Sequence, residues 1–272
     1  MLEHLRVGAV NYLNAKPLIE RLTSFAPNID LTLDLPSRLA DQLAAGDIDV
    51  GLIPVVEYFR GANYSLIPNI AITSRGPVLS VTLFSKKPWT EIRSVALDEG
   101  SRSSAALVQI LLRKKYGVHP SICQLPIDAP AESAGTDAVL LIGDRAMHAC
   151  LPGFRHSYDL GQEWTDWTGL PFVYAVWAVR EGIELGDTEQ AFVRAKEYGV
   201  AHAGEIAQRE APLLGLDPGY CRRYLDTLIR YDLGSAELAG MNWFRELASE
   251  LGLIPYSRRL AGGQFAAVST PA

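Results

Sequence analysis

Residues 76–86, GPVLSVTLFSK, and residues 169–181, GLPFVYAVWAVRE, decide how this chain is organised. Each opens on Gly and Pro and runs on through β-branched and aromatic side chains, the composition of a buried strand. Between them stands a strand–helix cycle of its own. SVAL (94–97) reads as a strand, residues 103–116 as a helix with Leu107, Val108, Leu111 and Leu112 on one stripe, and DAVLLIG (137–143) as a further strand. Upstream, the pattern predicts a strand over 5–10, a helix over 15–24 and a strand over 29–35. A helix from a Ser37 cap to a Gly46 stop follows, then a continuous apolar strand in DIDVGLIP (47–54). That order is a βαβαβ unit, which implies parallel strands with right-handed crossovers. Downstream the periodicity is helical over 188–208, 218–230 and 236–251, and the tail AGGQFAAVSTPA (261–272) is expected to fray. The expectation is two α/β lobes joined by two long crossing strands. Lobe one is discontinuous, residues 1–82 plus 178–272, and lobe two is residues 83–177. A ligand of such a molecule sits between the lobes, at the carboxyl ends of the parallel strands.

The 272 residues are 48% hydrophobic and 21% charged, the balance of a globular chain rather than a disordered one. A net charge of −6 disfavours nucleic acid or an anionic membrane as the main partner. It leaves room for a small anion held by local dipoles. Cys123, Cys150 and Cys221 form no close-spaced pair, which favours a reducing compartment. The histidines fit no metal-ligand spacing, so no metal site is expected. No apolar run approaches the roughly 20 residues that span a bilayer, and MLEHLRVGAV shows no signal-peptide pattern. A cytoplasmic location is expected. Nothing in the sequence specifies an oligomeric state.

Two strand-to-helix junctions are expected to face the cleft. One carries Asn11 and Asn14 in VGAVNYLNAKPL; the other carries Ser101, Ser103 and Ser104 in DEGSRSSAALVQ. Helix N-termini present unpaired N–H groups and a positive dipole end, so each is an anion site in waiting. Asn and Ser are also ordinary caps, which accounts for either junction taken singly; two on opposite walls suit a ligand with two carboxylates. In ITSRGPVLS, Ser74, Arg75 and Gly76 are placed at the rim, where Arg75 is either a solvated loop residue or a bidentate carboxylate partner. Ser80 and Tyr174 lie on the long runs, each a satisfied buried hydroxyl or a ligand contact. Asp144, just past a buried strand, is a helix cap or a proton shuttle. Trp164 and Trp167 read as aromatic lid packing. No Ser-His-Asp order, P-loop or GxGxxG pattern is present, so covalent and cofactor chemistry have no anchor.

VGAVNYLNAKPL, GDIDVGLIPVVEY, ITSRGPVLSVTLFS, DEGSRSSAALVQILL, IGDRA, YDLGQEWTDWTGLPFVYAVWA and LAGMNWFRELASELGLI together resemble the chorismate dehydratase family of the futalosine route to menaquinone. The match runs in order from residue 6 to about residue 254. The resemblance implies an α/β, two-lobed, type 2 periplasmic-binding-protein-like fold with a mixed sheet in each lobe and two crossing hinge strands. It implies a lyase (a hydro-lyase) that removes water from chorismate to give 3-[(1-carboxyvinyl)oxy]benzoate, with no cofactor. On that reading Asn14, Ser80 and Asp144 are the catalytic candidates. Asn11, Ser74, Arg75, Gly76, Ser101, Ser103, Ser104 and Tyr174 bind substrate, and the proton acceptor is either the substrate's own enolpyruvyl carboxylate or Asp144. Three rivals share the fold. A solute-binding receptor calls for an export signal or lipid anchor, and a regulator's effector domain calls for a helix-turn-helix arm. The sister enzyme acting on a cyclised futalosine derivative calls for a histidine base on lobe two, where His148 is the candidate.

Overall fold

A computed structural model describes residues 4–61 and 63–255; the tail expected to fray lies outside the described residues. Among the described residues ten strands are formed: β1 (Leu5–Val10), β2 (Ile29–Asp34), β3 (Val50–Pro54), β4 (Ser65–Ser74), β5 (Val81–Ser85), β6 (Ser94–Asp98), β7 (Ser121–Leu125), β8 (Ala138–Ile142), β9 (His156–Asp159) and β10 (Phe172–Val179). They divide into two sheets of like plan, ordered β2-β1-β3-β10-β4 and β7-β6-β8-β5-β9. In each, three parallel strands are followed by one antiparallel strand that arrives from the other half of the chain. An edge strand paired to that arrival completes each sheet. The central strands β3, β8 and β10 are buried along their whole lengths, as strands covered on both faces must be.

The two runs quoted first each belong to one sheet. β5 pairs throughout with β8 and β9 in the second, and β10 pairs throughout with β3 and β4 in the first. Neither is a long strand spanning both lobes. The crossings are the short segment 75–80 and the helix Leu160–Thr168 with the residues after it. The lobe boundaries expected inside 82/83 and 177/178 therefore fall within strands. Sheet membership changes before β5 and before β10 instead. Gly169, at φ +71°, stops the second crossing's helix and lets the chain turn into β10.

Local chemistry displaces several expected helices. The predicted helix over 15–24 is broken into Lys16–Ile19 and Leu22–Phe25, because Arg21 adopts a left-handed backbone at φ +56°. Ser37 does not cap its helix: Pro36 takes the first position and Ser37 is buried within the first turn. The span 188–208 is two helices, Thr188–Ala201 and Ala203–Leu214, and 218–230 is a short helix, Pro218–Arg223, that widens into a π-turn over Tyr224–Leu228. The helix Ser235–Glu250 packs on β10 and on the helix Arg102–Ile110 of the second half. Residues 230–231 hydrogen-bond to Ala71 and Thr73, covering the open edge of β4.

Candidate active site

The carboxyl ends of β1, β3, β6 and β8 converge on one cleft of about 530 Å³, counting its open mouth. Asn14, Ser80, Ser101, Ser103, Ser104 and Tyr174 all line it. The second-sheet wall is the start of the helix Arg102–Ile110. Asp98, buried at the end of β6, shapes the approach by accepting from Gly100 N through Oδ1 at 3.0 Å. Ser101 then takes an extended backbone and the helix begins, with Ser101, Ser103 and Ser104 buried beside its free N–H groups. Ser103 Oγ accepts from Val56 N, across the cleft, at 3.3 Å, so its own proton remains to be donated.

The first-sheet wall is built differently. After β1 the chain makes a single 3-10 turn, Leu13–Ala15, and only a four-residue helix, so no extended helix dipole faces the ligand there. Its contribution is side chains. Asn14 lines the cleft, and among the described residues its buried Oδ1 has no hydrogen-bond partner, an acceptor left for a ligand hydroxyl. Tyr12 lines it too, with its ring laid on Gly143 of the opposite lobe. A Cβ at Gly143 would lie 3.0 Å from that ring, and Gly143 also stands at φ +59°, so glycine is required there twice over. Burial raises the Tyr12 phenol above its ordinary value, and the Asp98 and Asp144 charges push the same way.

The crossings aim two more hydroxyls. Asp159, closing β9, accepts from Val78 N at 2.8 Å, Leu79 N at 2.6 Å and Gln162 N at 3.0 Å. It thereby holds both crossings at once. Leu79 is pinned at φ +61°, a strained backbone for a leucine, and the next residue is Ser80, which is buried and lines the cleft. Tyr174 sits in a β-bulge of β10, where the register to β4 slips between Val173 and Ala175. Bulges re-aim side chains, and this one turns the phenol to the cleft, 3.0 Å from Ser74 Oγ. Burial raises the Tyr174 phenol well above its ordinary value. Gly161 lets the crossings touch: a Cβ there would stand 2.6 Å from Tyr174 Oη and 2.7 Å from Ser74 Oγ.

Other expected residues are placed elsewhere. Asn11 is exposed and accepts from Lys16 Nζ at 3.0 Å, and Arg75 is exposed on the first crossing; neither lines the cleft. Gly76, at φ +100°, donates its N–H to Thr165 Oγ1 at 2.9 Å and serves the crossing, while Ser74 supports Tyr174 from behind. Asp144 does not line the cleft; its Oδ1 accepts from Leu13 N at 3.3 Å, tying the two lobes, and burial raises its pKa. Trp164 is core rather than lid, wholly buried against Phe172 and Phe244 with its Nε1 donating to Pro171 O. The arginine at the cleft is Arg102, at the helix start, held bidentately by Asp41 of the other lobe at 2.7 and 2.9 Å. Arg102 lies between Ser101 and Ser103 in the sequence, so its neighbours are the signal that points to it. Among the described residues no three His, Cys, Asp or Glu side chains converge on a metal position, and those lining the cleft include no Asp, Glu or His.

Two like-planned sheets, two crossings and a ligand cleft at the strand ends define the periplasmic-binding-protein-like class. Solved structures agree on the fold. Protein AF1704 of Archaeoglobus fulgidus superposes with a TM-score of 0.75 at 17% identity, covering 93% of this chain and 99% of its own. The periplasmic aliphatic sulphonate binding protein SsuA of Escherichia coli follows at 0.64 and 17%, covering 100% and 98%. The family model described as menaquinone biosynthesis matches residues 5–250, and the chain belongs to that family. It is 32% identical over 260 residues to the chorismate dehydratase of Thermus thermophilus, covering 88% of this chain and 93% of the relative. It is 25% identical over 252 residues to that of Campylobacter jejuni, covering 90% and 98%.

Proposed function

We propose that the chain is a chorismate dehydratase, a hydro-lyase that converts chorismate to 3-[(1-carboxyvinyl)oxy]benzoate in menaquinone biosynthesis. The observation that carries this reading is a cleft rich in hydroxyl and amide donors and without a lining carboxylate or imidazole. Chorismate brings two carboxylates of its own. The helix start with Ser103 and Ser104 holds one of them, and Asn14 and Tyr12 shape the opposite wall. Loss of the C4 hydroxyl with the C3 proton makes the ring aromatic, so the enzyme has mainly to orient the substrate and stabilise the departing oxygen. The electron pair of the C3–H bond becomes the new ring double bond as the C4–O bond breaks. Ser80 gives its proton to the leaving oxygen. The substrate's enolpyruvyl carboxylate takes the C3 proton, because Asp144 is withdrawn from the cleft and engaged with Leu13 N. That carboxylate then returns a proton to Ser80, and one water leaves.

His148, the base the sister enzyme would call for, is exposed and does not line the cleft, which disfavours that reading. Incubation of the purified chain with chorismate, followed by chromatography with absorbance and mass detection, is expected to show an aromatic product lighter by one water. Binding of chorismate without turnover would overturn the proposal in favour of a receptor.

A further inference from the structure

Ser80 does not stand alone at the cleft. Tyr224, from the C-terminal helices and 1% exposed, donates its phenol proton to Ser80 Oγ at 2.7 Å. The two residues are separated by 144 positions in the chain, and both are sealed from solvent on the side where they meet. A serine hydroxyl has one proton to give and can accept on its lone pairs. With the phenol proton already directed at its oxygen, Ser80 cannot point its own proton back along the same line. Among the described residues the Ser80 hydroxyl makes no other hydrogen bond, and the free direction is the cleft it lines.

We propose that Tyr224 is a positioning residue that commits the Ser80 proton to the ligand side of the cleft. Its backbone is suited to the task. Tyr224 opens the π-turn Tyr224–Leu228, whose wider ring is closed by Ile229 N donating to Tyr224 O at 3.1 Å. Such turns interrupt a helix at some cost and recur at functional sites. The phenol also stays protonated, because burial raises its pKa. The C-terminal helices, which contribute no residue to the cleft lining, act on the chemistry through this one hydroxyl.

The kinetic consequence rests on the chorismate reading; the proton geometry does not. With chorismate, Tyr224→Phe keeps the ring and removes only the donor. Its kcat is expected to fall about tenfold, the worth of one aligned hydrogen bond, with KM changed by less than about twofold. In a Ser80→Ala background the same substitution is expected to add nothing. A Tyr224→Phe enzyme within about twofold of wild type in kcat, or one altered in KM alone, overturns the proposal. So does a tenfold loss that repeats in the Ser80→Ala background; where Ser80→Ala falls below detection, the split between kcat and KM decides. Should the wild-type chain fail to turn over chorismate, the functional reading falls and the relay is read from neutron diffraction of the deuterated protein. The deuteron of Tyr224 pointing at Ser80, and that of Ser80 pointing into the cleft, uphold it; a Ser80 deuteron pointing at Tyr224 Oη overturns it.

Discussion

The two walls of the cleft solve the same problem with different materials. The second-sheet wall uses a regular helix, Arg102–Ile110, whose first N–H groups and dipole would favour an anion whatever side chains stood there. The first-sheet wall has a 3-10 turn and a four-residue helix, too short to offer a dipole, and relies on Tyr12 and Asn14. On the proposed reading, one wall would recognise charge through the backbone and the other shape and a hydroxyl through side chains. Substitution is expected to be far more damaging on the side-chain wall.

The sharpest way to break this contrast is Asn14→Ala. It removes the unpartnered Oδ1 outright, and kcat with chorismate is expected to fall by about a hundredfold or more. A loss below about threefold, read in steady-state kinetics, would erase the distinction between the walls. Gly143→Ala tests the packing of the same wall, because its methyl meets the Tyr12 ring at 3.0 Å in a left-handed backbone. A stability loss of about 1–3 kcal/mol is expected by denaturant titration, and an unchanged midpoint would refute the contact. Ser104→Ala on the helix wall leaves the N–H groups in place. KM is expected to rise only about two- to fivefold with kcat nearly constant, and a kcat collapse would show that this wall too works by side chain.

The smallest effect lies away from both walls. Asp49 is gripped by Arg6 at 2.7 and 3.0 Å and by Arg180 at 2.7 Å. Burial alone would raise its pKa, but these bonds and the Arg6 charge outweigh it and bring the carboxyl down to about 2. A depressed pKa means stability that is present above about pH 4 and lost as pH falls toward 2. Thermal melts of Asp49→Asn are expected to lack that acid-side slope while being less stable than wild type at neutral pH. An identical slope in both proteins would remove the clamp from the account.

How much of this was legible in the sequence depended on how local its cause is. The helix at Arg102 and the serines at its start follow from β-strand, turn and cap residues within a dozen positions, and the structure places those serines on the cleft. The expectation of a matching helix N-terminus at Asn14 failed because Arg21 breaks the periodicity with a single left-handed residue that no apolar pattern records. The crossing strands were misread for a related reason. A β-prone run shows that a segment is buried, not which sheet receives it, and β5 and β10 were claimed by different sheets. The sequence leaves Tyr174 as a satisfied buried hydroxyl or a ligand contact, because the bulge that turns it to the cleft depends on pairing to β4. Arg102 and Tyr224 leave no local signal, because their importance lies in contacts with Asp41 and Ser80, each far away along the chain. Arg75, which the sequence leaves as either a solvated loop residue or a carboxylate partner, is exposed.

Asp159 lets one carboxylate carry amides from both passages between the halves of the molecule. In a transport receptor a joint of this kind would only limit how far the jaws swing. Here the residue next to its grip is Ser80, which lines the cleft, so the carboxylate that joins the two crossings also fixes where that serine stands.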